Sequence, residues 1–489
     1  VYASLGKGFS KQQRYEEACT CYQKALELKP GLDTAFVHLT AQRRHLCDWQ
    51  DHSNEVNTVQ SWVKSGREAA SPFYFLSVSD DPEEQLACAR QQAKSATRAI
   101  TPLPPLKTGL DGKIRVAYLS ADFREHPCSY LLAEVFEIHD RDDFEIHAFA
   151  FGPEAHDPMR ARLERAFDHF HDVSTRSDRE IAEEMRSLGM HIAIDLMGYT
   201  RDARTGILAY RPAPVQVNYL GYAGTMGAEF IDYVLVDRFV VAPDQQPFFT
   251  ERLVHLPNCY MANDSTRAIA DTAPSRQECG LPEEGFVFCC FNNNNKITPD
   301  FFAVWMRLLT EVPQSVLWLM RGSEAGENNL RREAEMRGVD PARLVFAPRI
   351  DMASHLARHQ QADIFLDTLP FNAHTTASDA LWAGLPVLTC TGRSFASRVA
   401  GSLLHAAGLP ELVTDSLEAY EALALKLARD PDLLASYREK LQRNRDTCPL
   451  FDCRRFTRNI ETAYITMIER WQAGLPPGPF EVEDAGPMH

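Results

Sequence analysis

Two loops in the second half of the chain carry the residue types that hold a phosphorylated ligand. In the first, an apolar run at 286–291 passes into Asn292-Asn293-Asn294-Asn295-Lys296 and then Thr298-Pro299-Asp300, a good helix start with proline in its first turn. A strand, a polar loop and a lysine meet at a helix N-terminus, whose free N–H groups and partial positive charge hold anions, with Lys296 to neutralise them. The same residues admit a plainer reading, asparagines that cap and turn beside a solvated lysine. In the second loop, Asp367-Thr368-Leu369-Pro370-Phe371-Asn372-Ala373-His374-Thr375-Thr376-Ala377-Ser378-Asp379 repeats the design after another strand, with a helix expected over 377–383. Thr375 and Thr376 can give backbone and hydroxyl donors to a diphosphate, His374 adds a donor, and Asp379, one turn on, can accept from a ligand hydroxyl. Read plainly, Thr375 or Thr376 is an N-cap and His374 sits in a loop.

Three more loops follow strands earlier in the chain: 120–127, Gly198-Tyr199-Thr200 and Gly221-Tyr222-Ala223-Gly224-Thr225. In the first, His126 has an unperturbed pKa of about 6.5, suited to proton transfer or donation near neutrality. A histidine before proline serves equally as a cap or packing residue. His355, with Arg358 one turn later, can present an imidazole face to a base or lie on a solvated helix face.

The elements that must position these loops are parallel βαβ units. After Thr101-Pro102-Leu103-Pro104-Pro105, short β-branched runs alternate with amphipathic stretches. Strands are expected at 114–119, 144–151, 191–196, 215–219 and 233–236, with a helix at 178–188. A second series begins at 272–281, with strands at 286–291, 315–319, 344–347, 364–367 and 386–389. Two doubly wound Rossmann-like domains would face each other across a cleft, where open α/β sheets bind ligands. The expected boundaries are 106–271 for the first and 272–415 for the second. Helices follow over 416–475, and a loose acidic tail over 476–489.

The first third is helical. Leu5, Gly6, Phe9, Ala18, Tyr22, Ala25 and Pro30 fit the tetratricopeptide spacing of a unit of about 34 residues. Phe36 and Leu39 begin a second unit whose later positions stop matching, so the repeat region is 1–50, cut upstream, and 51–105 is a helical linker region packed on the core. A lone repeat must stack on more repeats or on the next domain.

Composition narrows the function. The 489 residues allow roughly two to four domains. A net charge of −16, with no block of Lys or Arg, argues against nucleic acid. No apolar run approaches the roughly 18 residues that cross a bilayer. Twelve cysteines without a C-x-x-C pair suggest neither a zinc site nor a disulfide framework, and a reducing, cytoplasmic compartment fits.

Repeat, linker and loops together resemble the O-linked N-acetylglucosamine transferases of glycosyltransferase family 41, inverting enzymes that join tetratricopeptide repeats to a GT-B core. The resemblance covers nearly the whole chain. Its most specific passages are Cys47-Asp48-Trp49, Ser120-Ala121-Asp122-Phe123-Arg124-Glu125-His126-Pro127, Met197-Gly198-Tyr199-Thr200, Arg211-Pro212-Ala213-Pro214, Leu220-Gly221-Tyr222, Ser315-Val316-Leu317-Trp318-Leu319, His374-Thr375-Thr376 and Leu381-Trp382-Ala383-Gly384. It implies metal-independent transfer of N-acetylglucosamine from UDP-GlcNAc to Ser or Thr hydroxyls of proteins, with no cofactor. Lys296 would meet the diphosphate, with Asn293, Asn295 and Met320 nearby. His374, Thr375 and Thr376 would bind the phosphates, Asp379 the ribose, and His355 and Arg358 the uracil. His126 would lie at the sugar and acceptor, and Tyr199, Thr200, Gly221 and Tyr222 on the acceptor side. Protein acceptors would be met by the cleft and the repeat groove, and a homo-oligomer through upstream repeats stays open.

The chain also departs from the family pattern. Met352 stands where the family has a nucleotide-holding lysine, with Arg349 as a candidate replacement. Asn293-Asn294-Asn295 replaces Gln-Leu-Tyr, and Arg186 aligns with a histidine near the acceptor. The short segment between the catalytic halves matches a compact bacterial type. No Asp-x-Asp metal motif lies in a suitable loop, so Lys296 and the helix after His374 would supply the charge that a leaving diphosphate needs. Two alternatives remain at this level: a related glycosyltransferase using another UDP-sugar or an asparagine acceptor, and a repeat scaffold whose catalytic half has decayed.

Overall fold

The computed structural model describes residues 1–105 and 112–487. The expected domain start at 106 and the last two tail residues lie outside them. The chain divides into two compact units. One, here the Lys296 unit, comprises Val1–Ala70, Tyr74–Glu84 and Ala268–Arg445; the other, the His126 unit, comprises Ser71–Phe73, Gln85–Arg267 and Asp446–His489. No helix of the described residues is long and apolar enough to cross a membrane.

The His126 unit is built on β1 (Ile114–Ser120), β2 (Phe144–Ala150), β3 (His169–Asp172), β4 (Ile192–Asp195), β5 (Val215–Asn218), β6 (Tyr233–Asp237) and β7 (Arg252–Leu256). The Lys296 unit carries β8 (Val287–Cys290), β9 (Val316–Met320), β10 (Leu344–Ala347), β11 (Ile364–Leu366), β12 (Val387–Cys390) and β13 (Val413–Thr414). A last strand, β14 (Phe480–Glu481), returns to the first sheet beside β7. The strand orders are β14-β7-β6-β5-β4-β1-β2-β3 and β10-β9-β8-β11-β12-β13, with parallel pairing throughout. The central strands β4, β5, β6 and β8 are buried along their whole length, which is why they read as apolar runs without alternation.

Each order reverses once, between β4 and β1 in one sheet and between β8 and β11 in the other. Ligands of open α/β sheets bind outside the carboxyl ends of the strands at this switch point. The loops that leave these four strands are 120–127, 196–200, 291–298 and 367–374. Four of the loops singled out in the sequence leave these strands, whereas 221–225 leaves β5 and the helix with His355 and Arg358 follows β10.

The N-terminal helices Tyr2–Lys11, Tyr15–Leu28 and Asp33–His45 bury Ala18, Tyr22, Ala25, Ala35 and Leu39 together. A Cβ on Gly6 would stand 2.8 Å from the Tyr22 ring, so the small-against-large pairing of these two helices is steric. Leu5, expected at a repeat position, is 49% exposed. The segment does pack onward: Arg44 donates to the Ser77 carbonyl at 2.6 Å and to that of Asn295 at 3.4 Å, and Asn329 donates to the Leu46 carbonyl at 2.9 Å.

Several expectations need correction. β3, β7, β13 and β14 are strands that the sequence does not announce. β3 reads His-Phe-His-Asp and lies at a sheet edge, where polar residues are tolerated. The tail is not loose: β14 pairs with Val254 and His255, Val482 is buried, and Asp484 joins Arg455. The helices of 416–475 do not form one element group. Leu417–Arg429 and Pro431–Asn444 belong to the Lys296 unit, whereas Cys453–Gln472 belongs to the His126 unit. There Glu461 meets His139 at 2.8 Å and the Tyr464 hydroxyl meets that of Tyr118 at 3.1 Å. Amphipathic helices carry no mark of which sheet they will cover.

Candidate active site

The loops after β8 and β11 interlock. The Lys296 ammonium donates to the Asn372 carbonyl at 2.7 Å and stands 3.9 Å from the Phe371 ring centroid. Asn292 donates to the Thr368 hydroxyl at 2.9 Å and accepts from the Thr376 hydroxyl at 2.6 Å. Beneath both loops Asp367, fully buried, accepts from the Thr389 hydroxyl at 2.6 Å and from the backbone N–H groups of Thr368 at 2.7 Å and Ala373 at 2.5 Å. The peptide bond between Leu369 and Pro370 is cis. Past this turn the helix Thr375–Trp382 begins, with His374 at the N-cap position and both threonines in its first turn. The helix therefore starts two residues earlier than expected. Neither threonine is the cap, and the free N–H groups of the first turn stay available.

Burial pushes the Lys296 pKa down to about 8, against the pull of Asp367 and Cys290. Burial likewise raises that of Asp367, to about 6, despite its donors. His374 is held well below its ordinary value, by burial first and by the charge of Lys296 second, so its ring is neutral; its Nε2 lies 3.2 Å from the Ala396 carbonyl. Such a site holds a poorly hydrated ammonium, a neutral imidazole and a helix N-terminus, a set suited to a phosphate anion. Asp379, expected at a ribose, is only 4% exposed, one turn into the helix.

On the far side of β8, Asn293 is exposed and Asn295 half-buried, while Asn294 between them is buried against Gly322. Asn293 and Met320 line a cavity of about 480 Å³ that also takes His45, Arg321, Gly322 and Arg349. Met352, the first residue of the helix Met352–Arg358, does not line it. His355 Nδ1 lies 2.6 Å from the Arg358 guanidinium, and burial with neighbouring cations lowers its pKa to about 2. Arg358 itself is 2% exposed, donates to the Pro348 carbonyl at 2.6 Å, and stands 4.7 Å from the Phe291 ring centroid. It braces His355 and β9 and is no solvated helix face.

In the His126 unit, His126 is the N-cap of the helix Pro127–Ile138, its Nδ1 accepting from the Cys128 N–H at 3.4 Å. Asp122 Oδ2 lies 3.5 Å from the same nitrogen. Burial lowers the His126 pKa while Asp122 opposes it. Capping and a role in chemistry coexist, because a cap that accepts through Nδ1 carries its ring proton on Nε2. Tyr199 donates to the Met226 carbonyl at 2.6 Å, and Thr200 to that of Met197 at 2.8 Å. A Cβ on Gly221 would fall 2.0 Å from the Leu196 carbonyl oxygen, so only glycine lets these two loops touch. Tyr222 is 2% exposed and shapes the loop from inside. Arg186, aligned with an acceptor-side histidine, is occupied elsewhere: it donates to the carbonyls of Pro104, Arg211 and Pro212 and walls a separate cavity of about 590 Å³ beneath the 102–105 segment.

The model of the family described as Glycosyl transferase family 41 matches residues 103–273 and 265–460. The chain belongs to glycosyl transferase family 41. This family 41 chain is 37% identical over 459 residues to a probable UDP-N-acetylglucosamine–peptide N-acetylglucosaminyltransferase, SEC, of Arabidopsis thaliana, a match that takes 89% of the chain and 47% of the relative. It is 28% identical to the enzyme of that name from Caenorhabditis elegans, across 88% of the chain and 48% of the relative. The chain thus spans about half the length of the curated relatives it matches. A solved structure of a Thermobaculum terrenum O-GlcNAc transferase mutant superimposes with a TM-score of 0.82 at 30% identity, covering 97% of this chain and 91% of that one. The family 41 chain accordingly has the GT-B type of fold, with two parallel sheets and a helical N-terminal region.

Some residues around Lys296 escape a reading by motif. Asn292, Phe371, Asn372 and Thr389 carry the hydrogen bonds and the ring that hold Lys296 and the second loop, yet each looks like loop or strand text. Only the position of Asp367, at the end of an apolar strand, signals a buried carboxylate in need of donors.

Proposed function

We propose that this chain transfers N-acetylglucosamine from UDP-GlcNAc to Ser or Thr hydroxyls of proteins, by inversion and without a metal ion. The observation that carries the reading is the Lys296 ammonium fixed on Asn372, in the loop that opens the helix Thr375–Trp382. Charge grows on the UDP oxygen as the glycosidic bond breaks, and preorganised cations and dipoles in a desolvated site stabilise it. Lys296 supplies the cation, and the backbone and hydroxyls of Thr375 and Thr376 supply donors to the diphosphate. His374, neutral, adds position and not charge. Asp379 is assigned to the ribose, His355 to the base with Arg358 bracing it, and Asn293, Asn295 and Met320 to the edge of the donor site, where Arg349 brings the positive charge that Met352 lacks.

In the transfer, the acceptor oxygen forms the new bond to the anomeric carbon while the bond from that carbon to the phosphate oxygen breaks. UDP leaves with the electron pair and the hydroxyl proton is released. With Nδ1 accepting from Cys128, His126 presents Nε2–H as a donor, so its assigned role is to position the sugar or the incoming hydroxyl. Tyr199, Thr200, Gly221 and Tyr222 are assigned to shaping the acceptor side. The twelve cysteines, none in a C-x-x-C pair, support a reducing, cytoplasmic setting.

The test is incubation of the purified chain with UDP-GlcNAc and a protein lysate, with and without EDTA, followed by mass spectrometry of modified Ser and Thr. Modification that survives EDTA and is not obtained with UDP-glucose supports the reading. Turnover confined to UDP-glucose overturns the sugar assignment, and no UDP binding by calorimetry overturns the donor site itself.

A further inference from the structure

On the edge of the sheet in the His126 unit, four titratable side chains gather on one face. In the parallel register of β2 and β3, His147 is paired with His169 and Phe149 with His171. Glu145 precedes His147 by two positions, and His171 follows His169 by two, so the period of a strand brings all four together. Ligand atoms of Glu145, His147 and His169 lie within 4.8 Å of one another. His169 Nε2 stands 2.8 Å and His147 Nε2 3.6 Å from Glu145 Oε1. The rings are stacked, with 4.5 Å between the centroids of His147 and His169.

The decisive atom is His147 Nε2. The His147 side chain is 4% exposed, and this nitrogen is buried with no hydrogen-bond partner. Its other nitrogen, Nδ1, meets His171 Nε2 at 3.1 Å, and His171 Nδ1 faces Glu184 at 3.7 Å, which in turn pairs with Arg176. In the tautomer with a proton on each Nδ1, His147 donates to His171, whose own Nδ1 faces the Glu184 carboxylate at ion-pair distance. That tautomer leaves Nε2 of His147 as a bare lone pair directed at a carboxylate. Two acceptors facing each other are reconciled by a proton or by a metal cation between them, and the nearby His169 Nε2 supplies a third ligand atom for the latter. A ring N–H that donates to an outer acceptor while the opposite nitrogen ligates is the usual outer arrangement of a metal-bound histidine.

We propose that Glu145, His147 and His169 bind a first-row divalent cation, zinc in first place, which ties the short edge strand β3 to β2. Two imidazoles and a carboxylate with an open fourth position form a zinc-type set and suit calcium or magnesium poorly. His171 acts as a positioning residue through His147 Nδ1. The half-exposed His169 gives the ion a path from solvent.

The experiment is calorimetric titration of the EDTA-treated, desalted full chain with Zn²⁺, in parallel with thermal melts. Wild type is expected to bind one equivalent at this site and to melt higher with zinc. His169→Ala and Glu145→Gln, both at surface positions, should weaken binding at least tenfold and lose the shift. His156→Ala, at an exposed histidine outside the cluster, should change neither. Co²⁺ added instead of zinc should give d–d absorption that His169→Ala removes. Binding of equal affinity in wild type and both variants, or binding seen only at millimolar zinc, overturns the proposal.

Discussion

The Lys296 ammonium and the Asn372 carbonyl, 76 residues apart in sequence, meet at 2.7 Å. β8 and β11 are neighbours in the sheet, so the loops that leave them emerge side by side, and one hydrogen bond fixes a cation against the turn that opens the next helix.

Replacing Lys296 by methionine keeps most of the stem and removes the charge. Turnover should fall by roughly 10²–10³-fold or more, the scale on which a preorganised transition-state contact counts. The fold should survive, since a desolvated charge is removed. Circular dichroism and UDP release together check this, and a Lys296→Met protein with unchanged turnover would sink the assignment.

The depressed lysine sets a pH dependence. With Lys296 near 8 in the free protein, UDP should bind at constant strength up to about pH 7 and progressively more weakly above 8, by up to about tenfold per unit. The sign for stability is opposite. The unfolded lysine keeps its proton to a higher pH than the folded one, so this group raises stability as pH climbs from about 8 towards its ordinary value. Calorimetry across this range, with Lys296→Met as the flat control, measures the first effect.

Asp367 is the keystone under both loops, and Asp367→Asn puts an N–H₂ group where donors already point. A loss of about 2–4 kcal/mol is expected from the donors left unpaired, together with weaker UDP binding as residues 368–374 loosen. Denaturant unfolding and calorimetry report the two effects separately. Unchanged stability would mean that the buried carboxylate is not what holds the turn.

For His126→Ala, turnover should drop by roughly 10²-fold or more while UDP affinity stays the same. The lost cap on the helix Pro127–Ile138 should also cost about 1 kcal/mol. If UDP binding disappears instead, the acceptor-side role of His126 is wrong.

The C-terminal strand gives a prediction about stability alone. The Arg455 side chain holds the Asp484 carboxyl well below the usual carboxylate range. Such a depressed group stabilises the fold above its unfolded pKa and loses that effect as pH falls. Asp484→Asn should therefore cost about 1 kcal/mol at pH 7, discounted for partial exposure, and nothing at strongly acid pH. Removing residues 480–489 should lower the melting temperature further, because β7 loses its outer neighbour β14 and becomes a sheet edge.

Legible in the sequence were the small-against-large pairing of Gly6 and Tyr22, the alternation of strands and helices, and the residue types of the loops with Lys296, His374, Thr375, Thr376 and His126. All of these are local, since periodicity and turn chemistry are written in adjacent residues. Tertiary structure decided what depends on strand order. It made β1, β4, β8 and β11 the switch-point strands, and it set Asn292, Asp367 and Asn372 around Lys296. It also turned Arg358 and Tyr222 inward, sent Arg186 to three carbonyls, and gave the acidic tail a strand partner in β7. The same cause placed Glu145, His147, His169 and His171 on one face: a strand carries its side-chain alternation in its own sequence, but its neighbour and register arise only when the sheet assembles.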